Sequence, residues 1–395
     1  MKAVWQTKPF EDCIKKVTYT TKIQRKDFLP EGTHPIVSQE EDFINGYWNN
    51  EADLFKVEAP VTIFGDHTKI LKYVDFDFVL GADGVKILPP LDFLEPKFFY
   101  YQLQTANLES LGYARHYKLL KELKIVYPSR LEQKRIVAIL DQAFEGIAKA
   151  RINAEKNLQN VRALFESHMQ SVFSVRGELV EPQHPSTSSG RTDKGWANNN
   201  LVALSDLATD ITDGDHMPPP KAITGVPFIT IGNIVKPTRT IDFTDTFKVS
   251  FEYFNKLKAN KKPKRGDVLY TVTGSFGIPV LVKDNQEFCF QRHIGLIRPK
   301  SDVSSEWLCY LLGSPQLVKQ ANDGATGTAQ KTVSLKVLRG FQVPNLPIDK
   351  QNKMVVELDA LSKETQRLEA LYQRKIALLD ELKKSLLQQA LAGAL

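Results

Sequence analysis

The residues of this chain best suited to chemistry lie in five short loops. Residues 65–69 read GDHTK, 113–118 YARHYK, 273–277 TGSFG, 291–293 QRH and 324–332 GATGTAQKT. Backbone amides beside Ser and Thr hydroxyls hold phosphates, while Arg, Gln and Asn can address base edges with paired hydrogen bonds. By that chemistry the expected DNA contacts are His67, Lys69, Arg115, His116 and Lys118 in the first half of the chain. In the second half they are Thr273, Ser275, Arg292, His293, Thr328, Gln330 and Lys331. Any one of these loops is ordinary turn chemistry. What raises the set is its recurrence at matching places in two halves.

No constellation for a reaction accompanies them. A phosphate-cradling GxxxxGK[ST] loop fails because Gln330 stands where the second glycine must be. The Pro-Pro pairs at 89–90 and 218–219 lack the flanking Asn/Asp and aromatic residue that an amine methyltransferase uses. Asp77 with Glu95 and Lys97 has roughly the spacing of a magnesium nuclease, but Pro96 sits where the strand would run. Residues 210–216 (DITDGDH) lack the alternation and the distal glutamate of a calcium loop. The seven histidines show no metal-ligand pairing. The expectation is a chain that binds and does no chemistry itself.

The loops must be carried by something, and the strongest pattern is helical. Residues 131–175 and 349–391 each follow a proline-bearing extended stretch and open alike, QKRIVAIL from Gln133 and QNKMVVEL from Gln351, an offset of 218. A heptad ladder runs through both, as in a coiled coil. The expected seam includes Leu140, Ile147, Leu158 and Val161 in the first helix and Leu358, Leu368, Leu379 and Leu382 in the second. Arg151, His168, Thr365 and Lys375 interrupt it and would fix register. A helix of ~40 residues is ~60 Å long, too long for one domain of ~130 residues to cover. Each helix is therefore the other's obvious partner.

The repeat extends upstream. Phe10-Glu-Asp12 and Leu204-Ser-Asp206 open the two copies at an offset of 194, so the second copy carries 24 more residues in its globular part. Strand-like runs at 59–64 and 76–80 are echoed at 227–231, 267–272, 280–282 and 295–298, with short helices near 96–108 and 305–321. The expected fold class is α+β: two globular domains joined by two long antiparallel coiled-coil helices, with a pseudo-twofold internal repeat. The expected boundaries are 1–128 for the first globular domain, 129–175 for its helix, 176–195 for a Pro/Ser/Gly-rich flexible linker, 196–347 for the second domain and 348–395 for its helix.

Composition sets the remaining bounds. The 395 residues include 52 Lys+Arg and 46 Asp+Glu, a net charge of +6, with 42% hydrophobic and 25% charged residues. That is a globular balance, which excludes a disordered or fibrous chain. No apolar run reaches the ~18 residues of a membrane span, and residues 1–12 lack a signal-peptide core. Three cysteines without CxxC spacing suit reduced thiols, so a cytoplasmic location without membrane contact is expected.

Taken together, the arrangement resembles the specificity subunit of type I restriction-modification systems. The resemblance covers essentially the whole chain and rests on the doubled plan of globular part, proline stretch and Gln-led helix. Local wording agrees: PFITIGN from Pro227, GDVLY from Gly266 with TGSFG from Thr273, DGDH from Asp213, and GTAQ from Gly327. The first half has residues 59–64 in place of the GDVLY element. The resemblance implies that each globular part is a target recognition domain for one half of a bipartite double-stranded DNA sequence, with the helix pair as spacer. It also implies two methyltransferase (modification) subunits and restriction (endonuclease/translocase) subunits as partners. This chain would hold no cofactor; S-adenosylmethionine, ATP and Mg²⁺ would be used by those partners. A charge of only +6 fits a protein whose partners share the phosphate contacts.

Overall fold

A computed structural model describes residues 5–394, except 83, 110, 111, 113, 175–200, 218 and 329. The linker expected at 176–195 lies outside the described residues, as do Tyr113 and Trp196. The chain packs as two units, Met1–Glu155 with Gln373–Leu395, and Lys156–Tyr372.

The long helices are Arg130–Ser174 and Ile348–Leu391. Each contributes a segment to both units, and within each unit the two segments run antiparallel. In the first unit Lys383 lies 5.2 Å from the Phe144 ring centroid, and Arg151 pairs with Asp380. In the second, Arg162 reaches Glu369 at 2.9 Å, and His168 Nε2 lies 2.9 Å from Glu357. These pairs are largely exposed. They specify register more than they stabilise.

The seam follows the heptad ladder over most of its length and then leaves it. Leu140 and Leu358 are fully buried, Ile147 nearly so, and Leu158, Val161, Leu368 and Leu379 are half-buried. Leu382 is a correction: it is 46% exposed, and the buried row passes instead to Leu387 and Ala390. A straight helix drifts by roughly 20° per heptad against a 3.5-residue repeat. Three heptads beyond Leu358, that drift carries Leu382 out of the seam and brings Leu387 into it. Lys375 leaves for the same reason, with half-buried Ile376 taking its place.

In the first unit a three-stranded sheet, ordered Leu71–Val74, Val61–Gly65, Val85–Leu88, stands beside a sheet built on Phe78–Gly81 and His34–Val37. In the second, a four-stranded sheet runs Ala208–Asp213, Ile294–Pro299, Val268–Thr271, Pro279–Leu281. The Val61–Gly65 strand occupies the place of Val268–Thr271, so the GDVLY-type element does have a first-half counterpart in structure.

The repeat is exact at its edges. Thr7 pairs with Val126, and Leu201 with Pro344. The Phe10 amide donates to Leu123 O at 2.9 Å, and Leu204 to Phe341 O at 2.8 Å. Short helices Pro96–Gln104 and Ser305–Leu312 pack on the long helices in their own units, burying Phe98 and Phe99 in one, Trp307 and Leu308 in the other. The helix expected over 305–321 is broken after Leu312 by Gly313, Ser314 and Pro315, and a second helix, Pro315–Gly324, follows. Among the described residues, it has no first-unit counterpart. It accounts for part of the extra length of the second copy.

Candidate nucleic-acid interface

In both units the singled-out loops converge, and the same backbone bonds join them. In the first unit Asp66 is the knot. Its amide donates to Gly84 O at 2.7 Å, and its carbonyl accepts from the His116 amide at 2.7 Å. In the second unit Val272 takes that place, its amide donating to His293 O at 2.9 Å and its carbonyl accepting from Val333 at 2.8 Å. A hairpin loop, the turn that enters the next strand and the loop before a short helix therefore form one surface in each unit. Backbone bonding explains why the side chains there are free to differ.

The side chains sort by exposure. In the first unit Arg115 and Lys118 are exposed, and His67 and Lys69 are half-exposed. Lys69 sits at φ 63°, a left-handed conformation that an L side chain adopts at a cost. His116 is a correction: it is 1% exposed, with Nδ1 3.0 Å from Asp66 O. It braces the loops and cannot reach a base. In the second unit Ser275, Arg292, Thr328, Gln330 and Lys331 are exposed and His293 is half-exposed. Gln330 lies over Gly274, whose φ of +69° and missing side chain make room for it. Thr273 is also corrected: at 7% exposed, with its hydroxyl 3.4 Å from that of Thr332, it is part of the brace.

Sequence reasoning missed two features of the second unit. The first is a cavity of about 190 Å³ lined by Asp215, His216, Phe228, Thr230, Phe247, Gln291, Arg292 and His293. Phe228 and Phe247 stack at 4.8 Å in its wall. The 213–216 loop presses directly onto the neighbouring strand, since a Cβ on Gly214 would lie 1.9 Å from Phe290 O. Tyr253 donates to the Asp215 carboxylate, and His216 Nε2 lies 2.9 Å from Asp213. Burial, and then the adjacent Arg292 charge, lower the pKa of His293, so its ring is neutral at pH 7 and presents one donor and one acceptor. Arg292 Nε lies 3.4 Å from that ring. A fixed cation beside a neutral two-way imidazole suits a purine edge.

The second feature is a basic run. Residues 256–265 hold Lys256, Lys258, Lys261, Lys262, Lys264 and Arg265 without an acid among them. Lys261 donates to Gly214 O at 3.1 Å, tying the run to the cavity's rim. Lys258, Lys264 and Arg265 are exposed and, among the described residues, have no ion pair. Charge density over ten residues was the signal that could have found it. Among the described residues no group of three or more His, Cys, Asp or Glu could hold a metal ion, and no helix is long and apolar enough to cross a membrane.

A family model described as the type I restriction modification DNA specificity domain matches residues 3–156 and 204–378. Over 360 residues the chain is 23% identical to the type I restriction enzyme EcoR124I/EcoR124II specificity subunit of Escherichia coli, covering 85% of this chain and 81% of that one. A solved chain from work on complex assembly and conformational transition of the type I R-M system matches with a TM-score of 0.71 at 18% identity, covering 99% of this chain and 98% of that one. The HsdS subunit from Thermoanaerobacter tengcongensis matches with a TM-score of 0.54, also at 18% identity, covering 99% and 97%. At such identities the structural likeness is one of fold.

Proposed function

This chain belongs to the type I restriction modification DNA specificity domain family, and from that membership we propose how it divides its work between its two units. It is a specificity subunit: it supplies DNA sequence specificity in a type I system and is not itself an enzyme. The loop cluster of each unit reads one half of a bipartite duplex, and the long helices set the gap between the halves. The domain boundaries expected from the sequence, 1–128 and 196–347 for the readers with helices 129–175 and 348–395, describe the same division.

The observation that supports this reading is the doubled loop cluster, held by equivalent backbone bonds around Asp66 and Val272. Equivalent frames with different side chains are what reading two different half-sites requires. His67, Lys69, Arg115 and Lys118 would contact one half; Ser275, Arg292, His293, Thr328, Gln330 and Lys331 the other. Two methyltransferase subunits would bring S-adenosylmethionine, and restriction subunits would use ATP and Mg²⁺. A DNA-directed complex of this kind works in the cytoplasm.

The test is to map methylated adenines in the host genome with and without this chain. A two-part motif with a constant gap is expected to appear only with it. Arg292→Ala should then weaken discrimination at one half by about 1–3 kcal/mol and leave the other half unchanged, measured by competition between duplexes. A uniform loss on every duplex would make Arg292 a phosphate anchor instead.

A further inference from the structure

Gln133 is fully buried at the start of the first long helix, and Gln351, 218 residues later, is 1% exposed at the start of the second. Gln133 Oε1 accepts from the Glu95 amide at 2.8 Å, while its Nε2 donates to Phe93 O at 3.0 Å and Pro128 O at 2.9 Å. Gln351 repeats all three: Oε1 accepts from Ser304 at 2.7 Å, and Nε2 donates to Asp302 O at 3.3 Å and Leu346 O at 2.7 Å. Eight residues further along each long helix stands an aspartate. Asp141 accepts from the Tyr101 hydroxyl, and Asp359 from that of Tyr310 at 2.6 Å.

Both tyrosines belong to the short helices Pro96–Gln104 and Ser305–Leu312, and Glu95 and Ser304 are the N-caps of those helices. Each short helix is thus held to its long helix at two points about 12 Å apart, eight residues at 1.5 Å each. One point would leave a pivot; two resist tilt. The short helices follow the strands Val85–Leu88 and Ile294–Pro299, whose entry turns at Gly84 and His293 lie in the loop clusters. A continuous path therefore leads from each reading surface to each long helix. Burial raises both phenol pKa values, and the aspartate bond adds to the rise, so both stay protonated donors at neutral pH.

We infer that Gln133 with Asp141, and Gln351 with Asp359, are positioning residues that lock each reader's tilt on its long helix and so set how strictly the gap between half-sites is discriminated. The inference rests on the two-part reading above. The frame bonds are duplicated although their partners differ in type, Glu95 against Ser304 and Phe93 against Asp302. Packing alone gives no reason for such matching.

The experiment measures methylation by the full chain with its methyltransferase partners. The duplexes hold both half-sites at the native gap or at one base pair more or less. Tyr101→Phe, Tyr310→Phe and Asp359→Ala keep the fold's bulk and should each lower the preference for the native gap by about fivefold, the factor that one hydrogen bond supplies. Base preference within each half should not change. Asp359→Asn keeps an acceptor for Tyr310 and should restore most of the discrimination. Folded variants with unchanged gap preference, or with equal loss on every gap, overturn the inference. If the unaltered complex methylates all gaps equally, it is the two-part reading that fails.

Discussion

Around Gln133 and Gln351 the two units match bond for bond, yet the surfaces they carry have little in common. The first unit's loops present Arg115 and Lys118 to solvent, with His67 and Lys69 partly covered and Asp66 buried beneath them. The second unit's loops enclose a cavity with Arg292 and His293 at its lip, and a basic run adjoins it. The core differs too. Ile63 pairs with Lys72 in the first unit, where Leu269 pairs with Val280 in the second. The difference teaches that the repeat belongs to the frame and to backbone hydrogen bonds. Those bonds tolerate any side chain that leaves the backbone where it is, so the reading surfaces can diverge without cost to the joint.

The largest expected effect tests the frame's equivalence. Leu140 and Leu358 hold the same repeat position and both are fully buried. Leu140→Glu and Leu358→Glu each bury an unpaired carboxylate and should cost about 3–5 kcal/mol in urea denaturation. Leu382→Glu, at a position 46% exposed, should stay within about 0.5 kcal/mol. A difference above about 1 kcal/mol between the two buried variants would break the equivalence of the frames.

Most of the frame was legible in the sequence, because heptads and proline stretches act locally. Gln133 and Gln351 stood out as matching letters, but not as latches, since their bonds go to backbone atoms of residues with no shared identity. The seam failed at Leu382 because a strict seven-residue count ignores helical drift. The loops were legible as a set and not residue by residue. Arg115 and His116 are neighbours of similar chemistry, yet one is exposed and the other is folded onto Asp66. Only long-range pairing decides which. The Phe228–Phe247 wall of the cavity joins strands that are distant in sequence and carries no local signal.

A pH profile sharpens the contrast between the cores. Lys72 is 3% exposed, bonded to Asn45 at 3.1 Å and to Asp42 O, and burial pulls its pKa from 10.5 down to about 8. Its folded pKa lies below its unfolded one, so between pH 8 and 10.5 the unfolded chain binds more protons and stability rises with pH. The slope reaches about 1.4 kcal/mol per pH unit. Lys72→Met should remove that rise, so the denaturation free energy of the unaltered chain should gain on that of the variant by up to about 1.4 kcal/mol per pH unit across the window. Val280→Met, at the matching place in the second unit, should leave the rise intact. A Lys72→Met profile parallel to that of the unaltered chain would mean that the lysine is solvated.

The smallest effect per residue concerns the basic run. Lys258, Lys264 and Arg265 are exposed cations of the run that Lys261 ties to Gly214, and in the proposed complex they would meet phosphates and carry no sequence information. Each phosphate contact removed should lower the slope of log affinity against log salt by about 0.9. The triple change Lys258→Gln, Lys264→Gln and Arg265→Gln should therefore flatten that slope by between two and three units, roughly in proportion to the charges lost, with discrimination between matched and mismatched duplexes preserved. Arg115→Gln with Lys118→Gln in the first unit removes fewer charges and should flatten it less. If the first-unit pair flattens the slope as much as the second-unit triple, the electrostatic asymmetry between the readers is absent. A triple change that leaves the slope unaltered would make the run a solvated face, and the contrast between the units would then lie in base reading alone.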